Sequence, residues 1–181
     1  MSDFQTAVKV RFAPAVAGDF ASANPRASML AGPNALVAGA AGCTTGLFAW
    51  AISTGSADIE SGETDFYNTA TNAGTGLPSG FVHREQQGLI TAFLGSSGST
   101  IPVGNLVTLM TSGDYWVKNA GASAVTVGQK VFTSTLTGAV QTATAGSALT
   151  GVLLNNVETK WFAMSAAAAG ELFKMSSYPL G

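Results

Sequence analysis

Hydrophobic positions along this chain come in short runs broken by glycine, proline and hydroxyl residues. No long segment keeps a 3.6-residue period, so no long helix is predicted. The clearest pattern lies between Ile101 and Thr142, where one phrase is said twice. Val103-Gly104-Asn105-Leu106-Val107 returns as Val127-Gly128-Gln129-Lys130-Val131. Each copy runs into an apolar strand, meets a turn glycine (Gly113, then Gly138) and continues as a second short strand, Tyr115 to Val117 and Ala139 to Thr142. The opening glycine permits a tight turn or a positive φ. The β-branched and aromatic residues behind it suit a pleated, half-buried surface. The pattern predicts two similar hairpins joined by residues 118–123.

Further strands are predicted at Ala7 to Phe12, Leu36 to Ala38, Leu47 to Ile52, Phe81-Val82, Leu89 to Leu94, Leu149 to Leu154, Lys160 to Met164 and Leu172 to Met175. Ala166 to Ala169 suggests one helical turn ended by Gly170. Residues 58–80 read as a long polar loop, a kind that is usually functional or mobile. Residues 1–34 form an irregular arm punctuated by Pro14, Gly18, Pro25 and Pro33, with Phe20, Met29 and Leu30 as apolar anchors. Such a segment has few ways to satisfy its own backbone. From Ala13 to Pro33 it is expected to be ordered only in the assembly, or by a partner chain. Short strands with frequent turn signals predict an all-β fold, an antiparallel β-sandwich or jelly-roll-like domain over residues 35–181 behind that arm.

Charge changes the picture. The 181 residues include only eight basic and ten acidic ones, 10% of the chain, where soluble domains carry roughly 25%. A monomer of this mass exposes on the order of 8,000 Å², or about one charge per 450 Å². So bare a surface suits a chain packed against others, and a homo-oligomer is expected. The basic residues are scattered along the sequence, so no nucleic-acid partner is expected. The single cysteine, Cys43, reads as a small buried filler and fits synthesis in a reducing cytoplasm. The first residues lack the pattern of a secretory leader. Ala27 to Ala57 carries no charge, but Pro33 and five glycines break it, so no membrane span is expected.

Candidate chemistry is sparse. A Ser-His-Asp triad would need His83, the only histidine, and no nucleophile elbow accompanies it. One cysteine and one histidine cannot make a zinc site. Asp58, Glu60, Glu63 and Asp65 miss the spacing of a calcium loop. For glycoside hydrolysis only Glu60 with Glu63, or Asp114 with Glu158, can be named as carboxylate pairs. Trp50, Trp116 and Trp161 would serve a fibre or lectin-like binding module if they reached the surface. No enzyme activity and no cofactor are expected.

Several phrases together resemble a known family. They are Phe20-Ala21-Ser22-Ala23-Asn24-Pro25-Arg26, Leu36-Val37-Ala38-Gly39, Gly46-Leu47-Phe48-Ala49-Trp50, Gly80 to Gln87, Gly113-Asp114-Tyr115-Trp116-Val117 and Val127 to Phe132. Their order resembles the structural cement, or capsid decoration, proteins of tailed bacteriophage heads over roughly residues 15–175. The resemblance implies a non-catalytic virion protein made in the host cytoplasm. It would sit on the outer surface of the head and clamp neighbouring subunits of the major capsid protein. Phe20, Asn24, Pro25, Arg26, Met29, Leu30, Trp50, His83, Arg84 and Trp116 are then the candidates for capsid or self-contact. Residues 53–79 match nothing in that family.

Overall fold

Alternation of side chains decides which strands share a core. The computed structural model describes residues 15–31, 35–53, 67–84, 98–147 and 155–178. Its strands are β1 (Ala27–Ser28), β2 (Val37–Ala38), β3 (Cys43–Thr44), β4 (Phe48–Ile52), β5 (Thr69–Thr71), β6 (Gly80–Val82), β7 (Thr100–Ile101), β8 (Leu109–Ser112), β9 (Asp114–Lys118), β10 (Lys130–Ser134), β11 (Val140–Ala143), β12 (Asn156–Ala163) and β13 (Leu172–Ser176). One sheet has the order β1-β8-β6-β4-β5-β2, a second β11-β10-β12-β13-β9, and β3 pairs with β7 apart from both. All pairs are antiparallel except β2 with β5. The fold is therefore the expected all-β sandwich.

Two cores follow. Between the two large sheets lie Phe48, Phe81 and Met110 from one side and Tyr115, Val117, Val131, Val140, Trp161, Phe173 and Met175 from the other. Its centre is aromatic, with ring centroids 5.0 Å apart for Phe81 and Tyr115 and 5.7 Å for Tyr115 and Trp161. Such tilted and edge-on pairs add roughly 0.5–1.5 kcal/mol each beyond burial. One residue along each strand, the alternate side chains Ala49, Ala51, Val82 and Leu109 point the other way. They meet Ala38, Cys43, Ala70 and Ile101 beneath the β3–β7 pair. That second core is made of smaller residues, which suits a thin covering layer.

The repeated phrase is a repeated turn. In each copy the residue after the glycine donates its N–H three positions back, Asn105 to the Pro102 carbonyl and Gln129 to the Thr126 carbonyl. Gly104 and Gly128 have φ of 79° and 89°, the left-handed third position of a type II turn. The second copy continues into a hairpin, β10 with β11, as predicted. The first does not, which corrects the expectation of two hairpins. β8 pairs with β6 and β1, whereas β9 pairs with β13 in the opposite sheet. Only Gly113 separates β8 from β9, and one residue is too short for a hairpin loop, so the chain bends from one sheet to the other.

Other expectations also meet corrections. Residues 58–80 are not all loop: Thr69–Thr71 forms β5, inserted between β4 and β2. Ala166 to Ala169 is no helical turn, because Ala167 exchanges backbone hydrogen bonds with Val125 instead. The strands expected at Ala7 to Phe12, Leu89 to Leu94 and Leu149 to Leu154, and the acidic residues 58–65, lie outside the described residues.

Candidate functional site

Residues 15–31 find their partners within their own chain, which corrects the expectation of an arm ordered only by a partner. Gly18 N–H donates to the Trp116 carbonyl at 2.8 Å, Trp116 N–H to Asp19 at 2.9 Å and Ala21 N–H to Asp114 at 2.9 Å. This short ribbon covers the β9 edge of the five-stranded sheet. Further on, β1 covers the β8 edge of the six-stranded sheet. The arm thus straps both sheets where Gly113 turns between them. The reason lies in the sheets: each ends there in a strand with unpaired backbone groups, and the arm supplies them.

Side chains reinforce the strap. Ser22 Oγ and Asn24 Nδ2 both donate to Asp114 Oδ2, at 2.5 and 2.6 Å. Burial opposes the Asp114 charge, but hydrogen bonds from Ser176, Ser22 and Asn24 outweigh it and hold the carboxyl below its ordinary range. Tyr178 donates its hydroxyl proton to the Pro25 carbonyl at 2.5 Å. The Arg26 guanidinium lies 3.9 Å from the Phe20 ring centre, and that ring stacks on His83 at 4.9 Å. Arg84 donates its backbone N–H to Gly18 and stands 3.9 Å from Asp19, an exposed ion pair worth about 0–1 kcal/mol.

The fold therefore brings six of the sequence candidates together: Phe20, Asn24, Pro25, Arg26, His83 and Arg84. The other four are elsewhere. Met29 is half-buried against the second core, and Leu30 beside it is 92% exposed. Trp116 is half-buried on the outer face of the five-stranded sheet, under Lys174 at 5.1 Å. Trp50 is a correction. It is 4% exposed, its ring fills the space left by Gly74, and its indole N–H donates to the Gly76 carbonyl, so it is not available to a partner. Trp161 is inside the sandwich core as well, which leaves a lectin-like platform of surface tryptophans with one member.

What sequence reasoning missed is the partner end of the strap, above all Asp114 and Tyr178. A lone aspartate after a turn glycine gives no signal of distant partners. It also missed an apolar groove of about 240 Å³, lined by Met29, Ala31, Leu36, Leu106 and Val107 among others. Leu106 of its lining is 58% exposed, and Leu30, between the lining residues Met29 and Ala31, is 92% exposed.

The chemistry on offer is that of binding. Among the described residues no three His, Cys, Asp or Glu side chains gather as a metal site would require. Asp114 is engaged by the arm, and Glu158 accepts the Gly146 N–H at 2.7 Å. Cys43 is fully buried, and burial pushes its thiol up to about 12, which leaves no thiolate for nucleophilic work at neutral pH.

Comparison with known proteins completes the description. The family model of the XM1 gp53 minor capsid protein matches residues 4–177. A search of curated proteins finds no match. Among solved structures, a chain from the capsid of Myoviridae phage XM1 superposes with a TM-score of 0.62 at 13% identity, over 97% of this chain and 98% of that one. At that identity the likeness speaks for the fold.

Proposed function

This chain belongs to the XM1 gp53 minor capsid protein family, and on that premise we propose that it is a virion structural protein that cements the phage head. It binds the outside of the shell and bridges neighbouring subunits of the major capsid protein. Each contact can then be modest, because bridging makes the second contact intramolecular. The bridge opposes the outward pressure of packaged DNA. The match over nearly the whole chain carries this reading, and the low charge of the sequence supports it. The same low charge supports self-association; the resemblance to cement proteins favours a dimer before a trimer.

Heads assembled without the protein provide the test. Added back, it should bind to saturation at a fixed ratio to capsid subunits and raise the temperature at which the heads release DNA. Saturable binding without a change in that temperature would leave a decoration protein that cements nothing. No binding would remove the shell reading altogether.

A further inference from the structure

Among the described residues, charge is segregated between the two sides of the sandwich. None of the eight strands β1 to β8 contains a charged residue. The six-stranded sheet and the β3–β7 layer over it are built entirely from them. The nearest described charges, Arg26 and Arg84, stand where the arm crosses to β9 beside Phe20 and Asp19. Across the molecule, Asp114, Lys118, Lys130, Glu158, Lys160 and Lys174 all lie on the five-stranded sheet. Lys130 and Lys174 rest on the Phe162 and Trp116 rings, as lysines do on a face turned to water. On the uncharged side Leu106, which lines the groove with Met29, Leu36 and Val107, is 58% exposed, and Leu30 and Val103 are 92% and 64% exposed; exposed apolar residues also occur elsewhere, Val127 and Leu136 among them.

From this asymmetry, and resting on the shell reading above, we infer that the uncharged layer seats on the capsid shell and that the five-stranded sheet faces solvent. The partner surface it fits is an uncharged stretch of major capsid protein that offers an apolar side chain to the groove. Energetics separate the two orientations. Taking an ion out of water costs several kcal/mol unless it is well paired, and the strands of the five-stranded sheet would bring six charged residues to an interface, Asp114 among them already held by the arm. The uncharged layer brings none among the described residues. Interface cores are depleted of charge, whereas a face left in water needs charge for solubility. A second copy covering the same layer would take that surface away from the shell.

Charge insertion tests the assignment. The variants are Leu30→Glu, Leu106→Glu and Leu106→Lys on the uncharged layer, with Val127→Glu and Leu136→Glu as exposed controls elsewhere. All four sites are more than half exposed, so each of the five variants should keep the wild-type β spectrum and melting temperature within a few degrees. Binding to heads that lack the protein is read by co-sedimentation, and self-association by light scattering. Expected is a rise in Kd of at least about tenfold for all three layer variants and within about twofold for the controls. Loss with both Glu and Lys at position 106 would identify desolvation rather than repulsion of one sign. Layer variants that bind heads like the wild type, or that lose only self-association, would overturn the inference while the shell reading stands. Failure of the wild type itself to bind would overturn both.

Discussion

At the scale of single residues, Asp114 and Cys43 make opposite statements about burial. Asp114 keeps its charge because three side chains donate to it, and two of those belong to the arm. Its folded carboxyl titrates below a free one. The stability it lends is therefore complete above the ordinary aspartate value near 4 and fades as pH falls below that value. Asp114→Ala should lower the melting temperature at pH 7 by roughly 2–4 °C, about 1 kcal/mol once solvent screening is allowed for. The gap from wild type should narrow at pH 3; a constant gap would mean that the charge is irrelevant to the strap. Cys43 has no such donors, and burial alone raises its thiol to about 12. A thiol reagent at pH 8 should label the native protein negligibly and the urea-unfolded protein fully; rapid native labelling would place Cys43 at the surface. The sequence made Cys43 legible, since its whole segment is apolar. Asp114 was not, because its donors from the arm lie some ninety residues away along the chain.

At the scale of elements, the contrast between the two repeated phrases is instructive. Their turns are alike down to the hydrogen bond, and the turn chemistry was readable from Val-Gly. Their sequels differ because one glycine separates β8 from β9, while five residues, 135–139, separate β10 from β11. Loop length, more than the alternation of strand residues, decided between a hairpin and a corner. β5 escaped notice because three residues are too few to show a period. The arm was legible as irregular but not as a strap, since the edges it covers exist only after the sheets form. Its removal is informative. Apart from Met29 and Ala31, neither core draws on residues 15–31, so a chain lacking residues 1–30 should keep its β spectrum. It should lose about 3–5 kcal/mol of stability through the missing backbone and side-chain hydrogen bonds, roughly 10 °C in melting temperature. The bared β8 and β9 edges should also make it aggregate more readily. An unchanged melting temperature would show that the strap is only lightly held.

At the scale of the whole molecule, the shortage of charge was plain in the composition, but its distribution was not. Lys118, Lys130, Lys160 and Lys174 are dispersed in sequence and converge on one sheet. The strands β1 to β4, from the uncharged stretch Ala27 to Ala57, share their side of the molecule with β5 to β8. A binding face without ions has a definite dependence on solvent. Surface ion pairs contribute about 0–1 kcal/mol each and are screened by salt, whereas apolar burial at about 25 cal/mol per Å² is not. Sulfate should strengthen such a contact and urea should weaken it. The most direct measurement is to wash decorated heads with rising concentrations of NaCl and quantify the protein that stays bound. Retention through molar NaCl is the predicted result. Release at a few hundred millimolar would show that ion pairs hold the protein to the shell, contradicting attachment through an uncharged face.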